Sequence, residues 1–450
     1  MPSTTLAYRA TVGLIWALAL WHSWTCRGLF VDGSAFLIQI VRREWFFDFY
    51  PPRLYAMIVG QIPIMTAVTL GMTDLHWLGR LLSLGLFGLP TLVYTLALAR
   101  AKRDPVLLAV VITAIALVFM TTSFFIVGEY NTLYAVTLLV AVLLATSDRL
   151  RLSESLFIVL LAAFAMRTYE TMIYLGPLLA AMTLWQVWRL SPRPIVPVAL
   201  HLIAAVLFLY GWWIAFDSVV IHPWSTAHLD ETWEQAKFFW QNMQFDWVLG
   251  ATLVIAVWAL LRPEDLGAAK PYRWAALLLM ALALSPLLAL SDTLIRPLAK
   301  SQYVARTVSG LIIAAMLCFI WLYASRMLPD WKLRAALRMP EVRRRLLAFV
   351  VLMPLAMVPS DLFLTSTWVS YLRAMRSTVV SRPGLIPYEE TPMARLPDFL
   401  LVENWALSTQ SLALRSRQGD GIILPPRDFR DWVPFPPSQP PNIGRFVWHD

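Results

Sequence analysis

Long apolar runs separated by short polar connections dominate the chain. A helix needs about 20 apolar residues to cross a ~30 Å hydrocarbon core. Stretches that reach or approach this length lie at 9–27, 78–99, 105–127, 131–147, 155–166, 171–188, 195–216, 246–261, 272–291, 307–325 and 346–366. The pattern predicts an all-α polytopic membrane protein with about eleven transmembrane helices. Basic residues punctuate alternate connections. Arg100/Lys102/Arg103, Arg149/Arg151, Arg189/Arg193, Arg262/Lys270/Arg273 and the run from Arg326 to Arg345 hold 17 Lys and Arg. The intervening connections hold eight: Arg42, Arg43, Arg53, Arg167, Lys237, Arg296, Lys300 and Arg306. By the positive-inside rule the first set is cytoplasmic, which puts the N-terminus inside and the C-terminus outside.

Two places depart from the regular pattern. Residues 54–70 are apolar enough to cross, but counting them as a span would invert every later loop, and Gly60 and Pro63 weaken them as a straight helix. They are expected to form a juxtamembrane or re-entrant helix on the outer face. Residues 155–166 and 171–188 read as a broken pair, split by Arg167-Thr168-Tyr169-Glu170. Such a break makes a cavity in which charged groups survive. The expected domains are a membrane domain, 1–366, and an extracytoplasmic tail, 367–450. The first includes an outer loop, 28–54, with an amphipathic stretch Ser34–Phe49. The tail should open with an interfacial helix (Trp368–Val380) and continue into a short β-hairpin near Gly419–Leu424. It ends in a segment with seven prolines between Pro425 and Pro441. Its small size makes a weak independent core, so it should pack on the membrane part.

Composition agrees: 59% apolar and 14% charged residues, against about 25% charged in soluble domains, leave too little polar surface for a water-soluble fold. Disorder is excluded by the same figures. Two cysteines, Cys26 and Cys318, exclude a disulfide scaffold and a cysteine-based metal centre. The net charge of +9 is divided among loops and forms no single stripe, so no nucleic-acid partner is expected. Walker, GxGxxG, HExxH, GxSxG and CxxC motifs are absent from the sequence.

Charges at membrane boundaries carry the candidate chemistry, because an ionisable group near the bilayer centre costs about 2.5–3.5 kcal/mol on insertion scales. Asp32 follows the first span and Glu129 occupies the turn between the third and fourth spans, both on the predicted outer side. Each taken singly also fits a helix cap or a solvated turn. Arg53, Arg80, Arg167, Arg296, Lys300 and Arg306 crowd a face that should be poor in positive charge. They suit a phosphate or diphosphate head group, since guanidinium chelates phosphate oxygens; snorkelling side chains and bulk anionic lipid fit them as well. His222 and Trp224 could contact a sugar or peptide, or belong to an interfacial aromatic belt.

In order, a span, an acidic residue and an amphipathic stretch precede Tyr50-Pro51-Pro52-Arg53-Leu54-Tyr55. An apolar segment ending in Gly71 then leads to Trp77-Leu78-Gly79-Arg80-Leu81-Leu82-Ser83. Over roughly the first hundred residues this resembles the GT-C superfamily of polyprenyl-phosphate-sugar-dependent glycosyltransferases. The branch holding the aminoarabinose and protein O-mannosyl transferases is the most similar. Those families carry an Asp-Glu pair after the first span; here Asp32 is followed by Gly33. They carry a motif lysine where Tyr50 stands, and usually an aspartate in place of Glu129. The resemblance implies a GT-C-like fold and sugar transfer from a polyprenyl-phosphate donor to a glycan, lipid or protein acceptor. It places a multi-pass protein in a bacterial inner membrane, its site facing the periplasm. Asp32 and Glu129 would be catalytic, with Asp32 the general base. Arg53, Arg80, Arg167, Arg296, Lys300 and Arg306 would hold the lipid phosphate. Tyr50, Glu170, His222, Trp224 and Tyr303 would contact sugar or acceptor. No resident cofactor is called for; the carboxylates leave room for a divalent metal without demanding one. A flippase or transporter of lipid-linked saccharides, a glycan ligase or polymerase, and a non-catalytic subunit are the competing readings.

Overall fold

A computed structural model describes residues 3–48, 50–122, 129–223, 243–288, 308–325, 332–395, 406–426, 435 and 440–449. The described residues are all-α apart from one two-stranded element. Every predicted apolar stretch is helical in its described part. In order these are α1 (Thr4–Trp24), α4 (Leu75–Ala101), α5 (Pro105–Ala114), α6 (Tyr130–Thr146), α7 (Leu152–Ala165) and α8 (Met172–Arg189). α9 (Ile195–Phe216), α10 (Met243–Leu261), α11 (Lys270–Leu288), α12 (Gly310–Ser325) and α14 (Pro340–Ser381) follow. By length and composition, four described helices suffice to cross a membrane: Leu75–Ala101, Ile195–Ile221, Gln244–Leu261 and Pro340–Ser381. Shorter apolar helices accompany them at Pro105–Met120, Tyr130–Thr146, Leu152–Ala165 and Gly310–Ser325.

Local sequence sets the helix ends. Ser3 and Asp74 cap α1 and α4 by accepting from backbone amides two or three residues on, and Asp104 does the same for α5 with Pro105 at the first helical position. The basic connections meet at one end of the bundle. There Arg100 pairs with Glu154 at 2.9 Å, Arg189 donates to the carbonyls of Ser147 and Ala324, Tyr323 donates to Asp104, and Lys102 lies over the Tyr8 ring.

The acidic and aromatic connections gather at the opposite end. α2 (Asp32–Arg43) begins two residues before the expected amphipathic stretch and stops at Glu44, which takes a left-handed conformation. Residues 54–70 form α3 (Leu54–Thr69), with Pro63 inside it. α3 crosses α4 at Gly60 and Gly85, where a methyl group on Gly85 would lie 1.7 Å from the Gly60 carbonyl oxygen. Its N-terminal flank is tied to Arg167, and its C-terminal flank, Thr73, to Val447 of the tail.

Two details of the tail correct the sequence reading. Trp368–Val380 is no separate interfacial helix, because α14 runs unbroken for 42 residues through Pro354 and Pro359. Leu364, Trp368, Tyr371, Met375 and Val379 stay buried on one helical stripe, and that packing offsets the hydrogen bonds the prolines remove. Nor is there a β-hairpin: β2 (Ile422–Leu424) pairs in parallel with β1 (Leu385–Pro387), so the partner strand comes from just beyond α14. Asp420 folds the preceding turn by accepting from the amides of Ser416 and Arg417. The tail packs on the membrane domain as expected. From α15 (Leu407–Ala413), Thr409 bonds Ser34 at 2.7 Å, while Gln410 bonds Tyr371 and lies 3.5 Å from the Leu29 carbonyl.

Candidate functional site

Four residues separated widely in sequence meet beneath the opposite end. Arg53, at the start of α3, lies in the break between α7 and α8. Its Nε and Nη2 both donate to Glu170 Oε1, at 2.9 and 2.5 Å, and its Nη1 stands 3.7 Å from Glu129 Oε2. The guanidinium also lies over the rings of Tyr169 (4.9 Å) and Tyr50 (5.4 Å). Burial would depress the Arg53 pKa, but Glu170, Tyr169 and Glu129 outweigh it and hold that pKa well above the ordinary value. Glu129 responds in the other direction. Burial raises its pKa, Arg53 opposes this, and the negative charges of Asp32 and Glu170 add to the rise. Asp32 thus acts electrostatically on Glu129.

The break supplies more than Glu170. The Tyr55 amide donates to the Arg167 carbonyl at 2.9 Å, which fixes α3 to the break. The Arg167 guanidinium has no ion pair or hydrogen bond among the described residues and is half-buried. Among the described residues, Glu170 Oε2 is buried with no hydrogen-bond donor facing it, and the neighbouring Thr171 and Tyr174 hydroxyls lie against Tyr134. Buried polar atoms without a well-aligned partner are rare. Gly310 lets Tyr174 approach, because a methyl group there would sit 1.8 Å from its hydroxyl.

A strained segment holds Asp32. Val31 has φ 48° and ψ −113°, a conformation a β-branched residue does not adopt without roughly 1–3 kcal/mol of strain. Surrounding contacts impose it. Gly28 donates its amide to Ser83 Oγ, the Ser34 hydroxyl donates to the Val31 carbonyl, and Gly33 lies against the Gly28 carbonyl so closely that a methyl group would be 1.5 Å from the oxygen. That contact leaves no room for a side chain at position 33.

The other expected site residues fall as follows. Tyr50 joins the cluster through Arg53, and its hydroxyl lies 3.4 Å from the Ser218 carbonyl. His222, on the exposed turn beyond Ser218, bonds Asp217 at 3.1 Å and does not reach the cluster. Arg80 is held elsewhere, 3.8 Å over Trp24 and 4.5 Å over Trp77, with its Nε on the Trp24 carbonyl. Trp224, Arg296, Lys300, Tyr303 and Arg306 lie outside the described residues. No group of three His, Cys, Asp or Glu side chains is arranged to hold a metal among the described residues.

One buried network was not anticipated. Asp361 of α14 accepts from Arg27 at 3.0 Å and meets His22 Nε2 at 2.9 Å, while Arg27 also donates to Thr365. All four are buried, and His22, Arg27 and Asp361 fall inside predicted spans. An ionisable group within an apolar run is the signal that could have revealed them. No protein-family model, curated protein or solved structure matches the chain.

Proposed function

We propose that this protein transfers a sugar from a polyprenyl-phosphate donor to a hydroxyl of a glycan, lipid or protein acceptor on the outer face of a bacterial inner membrane. The observation that carries the reading is the convergence of Glu129 and Glu170 on Arg53, with Asp32 acting electrostatically on Glu129 and the Arg167 carbonyl holding the adjoining Tyr55 amide. The chemistry needs a base at the acceptor and a cation at the leaving group. Asp32 removes the acceptor proton as the acceptor oxygen attacks the anomeric carbon. The bond from that carbon to the phosphate oxygen breaks, and its electron pair stays on the polyprenyl phosphate. No acid is required, because phosphate leaves as a stable anion. Arg53 aligns Glu129 and Glu170 on the sugar and acceptor hydroxyls. Arg167, with Arg296, Lys300 and Arg306 as further cations, offsets the charge on the phosphate.

The motif order from Tyr50 to Ser83 and its likeness to GT-C enzymes support the same reading, with the eleven apolar stretches as spans. Asp32→Asn keeps size and hydrogen bonding but removes the base. It should abolish addition of one sugar to the cell-envelope glycan, read by mass spectrometry in a deletion strain complemented with the variant, while the protein accumulates normally. Full activity of the variant would remove the assignment. A transporter of lipid-linked saccharides is the second reading, favoured by the α7–α8 break, since discontinuous helices line transport sites. Loss of a whole polymer from the deletion strain, in place of one sugar, would favour it.

A further inference from the structure

A second pocket, of roughly 280 Å³, opens on the tail at the same end of the molecule. Arg415, Arg417, Gln418 and Asn442 supply its polar wall, and Pro440, Pro441 and Phe446 belong to the apolar one. The volume approaches the lower limit of ordinary small-molecule sites, which suits a single sugar ring better than a lipid chain or a peptide.

The polar groups are tied back in a way that leaves donors over. Arg417 uses its Nε on Asp420 Oδ1 at 3.0 Å, yet its side chain is 79% exposed. Arg415 has its Nε 3.4 Å from the Gly421 carbonyl, and its terminal nitrogens bond nothing among the described residues. Asp420 is already filled by two backbone amides and Arg417, so it neutralises only part of the two positive charges. Gln418 donates to the Asn442 side-chain oxygen at 3.1 Å, which also accepts from the Gly444 amide, an arrangement that fixes both amides and leaves the Gln418 oxygen and the Asn442 N–H groups for a ligand. The pocket is rigidly based. The Trp448 amide donates to the Arg415 carbonyl, Val447 bridges Asp74, and Trp448 stacks on His76 at 4.4 Å.

We propose that this pocket binds a carboxylated or phosphorylated sugar. The guanidinium forks take the anion and the amide pair takes ring hydroxyls, while the proline and phenylalanine wall covers the apolar ring face. This inference stands apart from the transfer reaction, since it uses none of the residues placed at the Asp32 site. The test uses full-length protein in nanodiscs of zwitterionic lipid, with binding of glucuronate, glucose 6-phosphate, glucose and inorganic phosphate followed by calorimetry. Glucuronate or glucose 6-phosphate is expected to bind saturably and glucose not at all. Arg417→Gln and Arg415→Gln should each weaken binding about tenfold or more, whereas Arg382→Gln, on a surface pair with Glu390, should leave it unchanged. Arg417 is the more exposed of the two, so its variant keeps the test decisive if Arg415→Gln fails to fold. Absence of saturable binding, glucose binding as tightly as glucuronate, inorganic phosphate binding as tightly as both anionic sugars, or unchanged binding in the Arg417 variant would each overturn the proposal.

Discussion

At the scale of single residues, the site is governed by an imbalance of charge. Arg53 faces two acids directly and a third, Asp32, acts on Glu129 through space. One cation among three carboxylates cannot keep all three comfortably ionised when they are buried. Glu129 bears the consequence, its pKa raised first by burial and then by its acidic neighbours. The sign of the effect on stability follows. Between the ordinary carboxylate range and the raised value, the folded protein binds a proton that the unfolded chain has lost. Stability is therefore full at the acid side of this window and declines as pH rises through it, by up to about 1.4 kcal/mol per pH unit for one group. Thermal unfolding of detergent-solubilised protein across that window should show the decline, and Glu129→Gln should flatten it. Equal slopes in the two proteins would mean that Glu129 titrates as it does in water.

At the scale of elements, buried ionic contacts tie helices whose apolar faces alone would let them slide. α1 and α14 are joined by His22, Arg27 and Asp361, with Trp368 Nε1 donating to the Thr25 carbonyl one turn further out. The same clamp fixes the start of the strained segment that ends at Asp32. Removing one partner of such a network leaves the other charge buried and uncompensated, a loss of about 3–5 kcal/mol. Asp361→Asn should therefore lower thermal stability sharply. The paired change Asp361→Leu with Arg27→Met should recover part of it, because apolar replacement removes the stranded charge as well. If Asp361→Asn melts like the unaltered protein, the clamp contributes nothing. α3 illustrates a steric version of the same theme: glycines at the α3–α4 crossing bring the backbones into contact, and the Tyr55 amide ties the start of α3 to the α7–α8 break.

At the scale of the whole molecule, connections divide cleanly between two ends. The basic ones are linked through Arg100, Arg189 and Tyr323, whereas Asp32, Arg53, Glu129, Glu170 and the tail occupy the other end. We propose, on the positive-inside rule, that the first end is cytoplasmic. Cysteine labelling tests this. Cys318 is exposed on α12 and Cys26 is buried, so a Cys318→Ala background is quiet. In intact cells, a membrane-impermeant maleimide should modify Gln418→Cys and leave Arg103→Cys untouched. Labelling of the second from outside would invert the arrangement and with it the proposed site.

How much of this was legible in advance depends on whether a feature is local. Helices follow from runs of apolar residues and from nearby caps, so α1, α4 and α9 could be placed from short windows of sequence. The break at Arg167–Glu170 was equally visible, since four consecutive polar or aromatic residues interrupt an apolar run. Glu170 could be named from that break, but its bond to Arg53, 117 residues away, could not. Nor could the fate of the cations be read from the chain. Arg53, Arg80 and Arg167 look alike as basic residues at the edges of apolar runs, and packing alone separates them into an ion-pair hub, an arginine held between two tryptophans and a guanidinium with no ion pair or hydrogen bond among the described residues.

The tail shows the same limit. A strand near Leu424 was visible as a short apolar run, but its partner was set by where α14 ends, and α14 ends where its buried stripe does. Apolar length and loop charge, which are properties of contiguous residues, determined an all-helical, membrane-compatible chain. Which acids face one arginine, which arginine lies between two tryptophans and which glycines must remain bare were decided by tertiary contact, because each depends on distances between segments that the covalent chain does not constrain.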